Sequence, residues 1–211
     1  MTTLIAKAIR LFAKQSFTLT NFFRIIYLRL KYPGLRIDLN SRIEKGCKII
    51  CVDGGKMHIQ NSFISSGTHL MADAGGDISI KGAFIGRNCL IVSKKKIELG
   101  EGCAIAEMVV IRDQNHKIDF NDLENTLYNF DIEEIVIGKN VWIGAKATIL
   151  KGVTIGEQSV VAASAVVTKS ILPGQIWGGV PARYIKDHDN NINRTEYQVD
   201  IQSIQNHKAA G

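Results

Sequence analysis

The sequence predicts an all-β solenoid, a chain wound into stacked three-sided coils, and three observations lead there. From Ile137 to Thr168 an aliphatic residue recurs every six positions, at 137, 143, 149, 155, 161 and 167. Two places before the later ones sits a small or short residue: Val141, Ala147, Val153, Ser159 and Ala165. Gly follows the aliphatic at 138, 144 and 156. A helix cannot use this pattern, because at about 3.6 residues per turn a period of six points successive aliphatics in opposite directions. It suits a short flat strand and a corner, repeated, with three sixes closing one triangular coil. The aliphatic fills the interior, and Gly is expected to allow a corner backbone that a Cβ would strain. Each coil then hides its edge against the next.

Residues 1–36 are expected to form an N-terminal amphipathic helical cap. Ile5, Ile9 and Phe12 fall at helical spacing, and Phe22, Phe23, Ile25, Ile26, Leu28 and Leu30 add apolar surface between basic residues. Thr18 to Asn21 is expected to interrupt the helix, with Asn21 capping a second one, and Tyr32-Pro33-Gly34 to end it. Solenoids need protected ends, so a helix pair packed on the first coil is the plain expectation. Peripheral contact with an anionic membrane is the sharper one, and the two are compatible.

The sixes begin at Ile37 as IDLNSR and IEKGCK. Residues 50–97 are noisier, with IGRNCL at 85–90 the clearest unit and Gly54-Gly55 and Gly75-Gly76 marking turns or longer corners. The period returns at Leu99 as LGEGCA, IAEMVV and IRDQNH, then stops until Ile137. The excursion, residues 113–135, carries Asp119, Asp122, Glu124, Asp131, Glu133 and Glu134 against Lys117 alone. A loop of that length in a compact fold is usually functional. Pro173-Gly174 and Gly178-Gly179 mark the end of the coils. The β-helix domain is therefore placed at 37–186, followed by a loose polar tail at 187–211.

At 211 residues, 45% apolar and 22% charged, one soluble globular domain is the simple expectation. Residues 1–30 are broken by charge too often for a secretory signal or a spanning helix, which points to a cytoplasmic protein. Lys7, Arg10, Lys14, Arg24, Arg29 and Lys31 stand in the first 32 residues with no acid among them. Because the whole chain totals +6, the remainder is neutral, and the basic pI is no argument for nucleic-acid binding. Cys47, Cys89 and Cys103 occupy the small position before Ile49, Ile91 and Ile105, where Cys is a compact hydrophobe kept reduced. With Cys51 they make no C-x-x-C pair, and no metal is expected.

His116 stands at the base of the excursion, where a solenoid has reason to expose chemistry. A neutral imidazole can take a proton from a hydroxyl and return it. There is no Gly-x-Ser-x-Gly and no Cys beside it, so direct attack by a substrate hydroxyl is the economical mechanism. Asp113 either orients the imidazole or is a turn residue. Trp142 precedes the inward Ile143 and should point outward, as a wall beside His116 or a subunit anchor. Lys169, Arg183 and Lys186 gather beside Gly-rich backbone, an arrangement that suits phosphates or is a solvated face.

The run NVWIGAKATILKGVTIGEQSVVAASAVVTKSILPGQIWGGVPARYIK, with Asn115-His116 upstream, closely resembles the hexapeptide-repeat acetyltransferases. These include the maltose, galactoside and xenobiotic acetyltransferases and the O-acetyltransferases of capsule and lipopolysaccharide sugars. The resemblance implies a left-handed parallel β-helix, an exception to the usual right-handed crossover. It also implies acetyl-CoA as co-substrate and a homotrimer with active sites between subunits. By position, His116 matches the family's catalytic base, with Asn115 and Trp142 beside it. Gly144 and Ala145 match the place where a backbone N–H reaches the thioester oxygen. Ala163, Thr168 and Lys169 match the strip along which coenzyme A lies, and Arg183 a residue near its phosphates.

One stretch departs from the galactoside type: IGRNCLIVSKKKIELG is shorter and offers Ser93 and Lys94-Lys95-Lys96 in place of acceptor-binding Asn and Asp. Ser93, Lys94 and Asp113 are therefore the candidate acceptor contacts, and the lysines either face an acidic sugar or form a solvated turn. The function expected is O-acetylation of a surface-polysaccharide sugar or its precursor beside the inner membrane. Alternatives are N-acetylation of a nucleotide-linked amino sugar, acetylation of a small molecule such as serine or a drug, and a catalytically silent scaffold. A zinc enzyme of the γ-carbonic anhydrase type would need three converging imidazoles, and His58, His69, His188 and His207 are not spaced to meet His116.

Overall fold

The computed structural model describes residues 19–122, 126 and 128–188. Expectations for residues 1–18 and for the tail beyond 188 lie outside the described residues. The described chain is a parallel β-solenoid of six coils, each contributing one strand to each of three faces. The first face stacks Leu35–Ile37, Lys56–Gln60, Asp77–Lys81, Lys96–Leu99, Ile135–Ile137 and Thr154–Ile155. The second stacks Arg42–Ile43, Phe63–Ile64, Phe84–Ile85, Ala104–Ile105, Trp142–Ile143 and Val160–Val161. The third stacks Lys48–Cys51, His69–Ala72, Leu90–Ser93, Val110–Arg112, Thr148–Ile149 and Val166–Val167. The first strand starts at Leu35, two residues ahead of the domain boundary drawn from the repeat.

The period of six becomes a ladder of identical levels. On the second face Ile43 pairs with Ile64, Ile64 with Ile85, Ile85 with Ile105, Ile105 with Ile143 and Ile143 with Val161. Every one of these side chains is fully buried. Each contributes about 1.5–3 kcal/mol relative to exposure, so the column of aliphatics is the principal force holding coil to coil.

The glycines after the aliphatics act differently from the expectation. Gly138, Gly144 and Gly156 are not among the residues with positive φ. A Cβ on Gly144 would instead lie 2.5 Å from the Ala163 nitrogen, and one on Gly156 2.3 Å from the Pro173 nitrogen. Coil stacking, rather than corner strain, therefore selects Gly. The left-handed backbone falls two residues later, on Asn140, Lys146 and Gln158, corner positions that are exposed or half-buried, where a side chain is tolerated. In the wider early coils the two demands share a Gly-Gly pair. Gly54 (φ 77°) and Gly75 (φ 81°) are left-handed, while a Cβ on Gly55 or Gly76 would sit 2.2 Å from the carbonyl oxygen of Ala72 or Ser93.

The small position also has a polar use. The thiols of Cys89 and Cys103 donate to the carbonyls of Ala106 and Gly138 in the next coil, both at 3.0 Å, and Thr68 Oγ1 donates to Gly86 at 2.7 Å. All four cysteines are free thiols, and burial pushes those of Cys47, Cys89 and Cys103 up to about 11.

Helix 19–31 covers the open end of the first coil. Ile25 and Leu28 are buried against it. Buried Asn21 donates to the Ser41 carbonyl (3.0 Å) and accepts from the Ile43 N–H (2.8 Å), while Arg24 and Arg29 donate to the carbonyls of Ile43 and Ile37. The interruption expected across Thr18 to Asn21 is corrected, because residues 19–21 are already helical. Asn21 caps no helix. Its amide satisfies an edge strand that has no coil below it among the described residues, and a buried unpaired backbone group would cost about 1–3 kcal/mol. At the other end Gln175–Gly179 continues the second face and Ala182–Asp187 folds back antiparallel upon it.

Candidate active site

The chain leaves the coil after Arg112 and returns at Ile135. The excursion begins as a hairpin, Gln114–His116 against Phe130–Ile132, with Asn115 opposite Asp131 and His116 opposite Phe130. The coil grips its base. The Glu133 N–H donates to the Asp113 carbonyl (3.0 Å), and the Lys151 ammonium of the next coil bridges Asp131 (2.9 Å) and Glu133. This ion pair holds the Asp131 carboxyl below the usual carboxylate range.

His116 is exposed, with Nδ1 at 3.0 Å from the Thr126 carbonyl. A carbonyl can only accept, so the neutral ring carries its proton on Nδ1 and presents the Nε2 lone pair outward. The ring packs at a tilt against Phe130, centroid to centroid 4.5 Å. Phe130 in turn receives the Lys94 ammonium at 4.6 Å from its centroid.

Asp113 does not touch this imidazole. It is fully buried, and its carboxylate accepts from Ser93 Oγ (2.7 Å) and from the N–H groups of Lys94 and Lys95 (both 2.9 Å). It therefore fastens the 93–95 corner of one coil beneath the start of the excursion. Ser93 is equally buried and also donates to the Asp77 carbonyl (3.2 Å), so it presents nothing to a ligand. The three lysines are divided. Lys94 pairs with Asp73 (3.1 Å) and Lys96 with Glu98 (2.9 Å), and Lys95 is exposed. The candidate acceptor contacts Ser93, Lys94 and Asp113 thus do come together, as one structural cluster at the loop base.

The remaining candidates fall on other parts of the coil. Trp142 stands outward on the second face in register with Ala104 and Val160, and small neighbours leave it 55% exposed. The corner after that face holds Gly144 and Ala145, and one coil on it holds Ala163; the Ser164 N–H donates to the Ala145 carbonyl at 2.8 Å. Gly178, paired with Arg183, continues this edge, and a Cβ on it would lie 3.0 Å from the Ala162 methyl carbon. Thr168 and Lys169 are exposed at the next corner, after the third face, the same edge from which the His116 excursion departs. One chain therefore displays His116, Thr168 and Lys169 along one edge and Ala145, Ala163 and Arg183 along another.

Residue pattern alone missed Phe130, Lys151 and the Thr126 carbonyl. Phe130 and Thr126 lie in the stretch with no repeat, where register is set by the hairpin, and Lys151 reads as an ordinary corner lysine. His58 and His69 lie on different faces of the coil, and burial lowers the pKa of His69.

Residues 134–169 match the family model described as bacterial transferase hexapeptide (six repeats). The chain is 36% identical over 117 residues to the galactoside O-acetyltransferase of Escherichia coli K12, covering 54% of this chain and 56% of that protein. It is 32% identical over 107 residues to the protein named as the lipopolysaccharide biosynthesis O-acetyl transferase WbbJ of the same organism, covering 47% and 55%. The chain thus spans a little over half the length of these curated relatives. In fold it is similar to AntD, an N-acyltransferase from Bacillus cereus, solved as a point mutant with dTDP-4-amino-4,6-dideoxyglucose and coenzyme A. That likeness has a TM-score of 0.68 at 24% identity and covers 85% of this chain and 96% of that one. The hexapeptide repeat is thus matched where the coils are most regular, and over about half its length the chain is similar to proteins named acetyltransferases, in keeping with a left-handed parallel β-helix of hexapeptide repeats.

Proposed function

We propose that this protein transfers the acetyl group of acetyl-CoA to a hydroxyl of a surface-polysaccharide sugar or its precursor, with His116 as general base. The observation that carries this reading is the imidazole itself, held by the Thr126 carbonyl on Nδ1 so that Nε2 faces solvent at the base of the excursion. Nε2 takes the proton of the acceptor hydroxyl as its oxygen attacks the thioester carbon. The carbonyl π bond opens, and the oxyanion is met by the N–H of Ala145, which has no acceptor among the described residues. Collapse re-forms the carbonyl and breaks the C–S bond, and the imidazolium returns its proton to the leaving thiolate. No acyl-enzyme is required.

The two separated edges support an assembly in which subunits complete one another's sites. A homotrimer would lay the His116 edge of one subunit against Ala145, Ala163 and Arg183 of the next, with Trp142 facing the joint. Coenzyme A would run along that seam, its phosphates toward Arg183 and Lys169. The sugar O-acetyltransferases among the relatives favour a hydroxyl acceptor, and location in the cytoplasm beside the inner membrane fits an acceptor of this kind.

Thiol release from acetyl-CoA by the purified protein tests the reading, scanned over neutral and acidic sugars, oligosaccharides and amino sugars. Release stimulated by a hydroxyl acceptor is expected. Release stimulated by amino sugars alone would replace O- by N-acetylation, and failure to bind coenzyme A would remove the enzymatic reading altogether.

A further inference from the structure

Helix 19–31 has two apolar faces, and the solenoid uses one. Asn21, Ile25 and Leu28 turn toward the first coil. On the opposite side Leu19 (58% exposed), Phe22, Phe23, Tyr27 and Leu30 (81% exposed) form a continuous strip at helical spacing. Leaving five large apolar side chains in water on so short an element is unfavourable unless something covers them.

We propose that this outward face seats the protein on an anionic phospholipid surface. The strip looks away from the end of the solenoid, where a flat interface can reach all of it at once. Its charge has one sign. Arg24, Arg29 and Lys31 lie on the helix, Lys7, Arg10 and Lys14 precede it, and the first 32 residues contain no acid. The Lys31 ammonium rests over the Tyr27 and Tyr32 rings, 5.8 and 5.1 Å from their centroids, at the boundary between strip and rim. Arg36, Lys45 and Lys48 are exposed on the adjoining first coil. Two acids of that coil are turned to structural use, Asp38 accepting from the N–H groups of Ser41 and Asn61 and Glu44 from that of Ser66, and Asp53 is exposed at its last corner. Aromatic and aliphatic side chains flanked by cations match a layer with phosphate outside and hydrocarbon beneath. Among the described residues no helix is long and apolar enough to cross a membrane, so the contact is one that lies in the interface.

This inference gives a surface and a lipid charge to the location proposed above, yet it rests on the helix and not on acetyl transfer. Its test needs no turnover. The full chain is sedimented with vesicles of phosphatidylcholine alone and of phosphatidylcholine with phosphatidylglycerol, at low and high salt. Binding to the anionic vesicles is expected to exceed binding to neutral ones by at least about tenfold and to weaken with salt. A Phe23→Asp, Leu30→Asp double variant should lose that binding with its melting temperature unchanged. If the melt does shift, Leu30→Ser, at the most exposed of these positions, serves with an expected partial loss. Absence of binding to anionic vesicles at low salt would overturn the proposal, as would equal binding to neutral ones. Wild-type binding by these variants would overturn it too, by moving the contact off this face.

Discussion

His116 and Phe130 are direct partners across a two-stranded hairpin, with ring centroids 4.5 Å apart and planes tilted by 40°. The Lys94 ammonium, anchored by Asp73, lies over the same Phe130 ring. A chain of contacts thus runs from the third-face corners of the rigid coil to the imidazole. Phe130→Ala should lower kcat by about tenfold to a hundredfold through loss of orientation. KM for acetyl-CoA should stay nearly constant, and Phe130→Tyr should restore the rate. Steady-state kinetics with the best acceptor, together with the NMR shift of the His116 ring protons, checks both parts.

His116→Ala should reduce turnover by about 10²–10⁴, the usual contribution of a positioned base. Calorimetric titration with acetyl-CoA should show binding retained. Near-normal turnover in this variant would assign the base elsewhere.

Asp113→Ala should act on stability and not on chemistry alone. It removes a fully buried carboxylate, leaves the N–H groups of Lys94 and Lys95 without their acceptor, and leaves the Ser93 hydroxyl only its longer bond to the Asp77 carbonyl. A loss of about 2–4 kcal/mol in urea unfolding is expected, and Asp113→Asn should lose less because it keeps part of the set. A variant as stable as wild type would contradict the structural role given to this carboxylate.

Gly144→Ala should force two coils apart, since the new methyl would lie 2.5 Å from the Ala163 nitrogen. Overpacking of this kind costs about 1–3 kcal/mol. Thermal melting should fall, whereas Lys146→Gly, at a left-handed corner (φ 61°), should be neutral or mildly stabilising.

Alkaline pH should destabilise the fold through its buried thiols. Cys89 and Cys103 are held neutral by burial, at about 11 against an ordinary 9.0. Below pH 9 both folded and unfolded chains keep these protons, and the thiols make stability independent of pH. Between pH 9 and 11 the unfolded chain releases protons that the folded chain retains, so stability falls as pH rises. Cys89→Ala with Cys103→Ala should shrink that fall. Alanine already fills the same small position at 147 and 165, and urea midpoints from pH 8 to 10.5 give the comparison.

The coil is legible in the sequence because a period of six is a local property, in which each aliphatic needs only its own face and the level above. The repeat alone therefore places Ile137 through Val167 inward, and it places Trp142 outward for the same reason. For Gly144 the repeat gives the position but not the cause, since close approach to Ala163 is a contact between coils and not a property of one corner. Asn21 reads as a helix cap because a capping amide and an amide that satisfies a sheet edge look alike in one dimension.

By itself the sequence determined the solenoid, its six-residue repeat, the point where the repeat breaks and the one histidine placed at that break. Those follow from burial periodicity, which a chain carries in its order of residues. Only the tertiary structure decided that Phe130 and the Thr126 carbonyl hold His116, and that Asp113 belongs to the coil and not to the imidazole. It also decided that Lys94 is already paired and that helix 19–31 turns a second apolar face outward. These depend on hairpin register and on contacts between coils about twenty residues or more apart, and such contacts leave no period to be read.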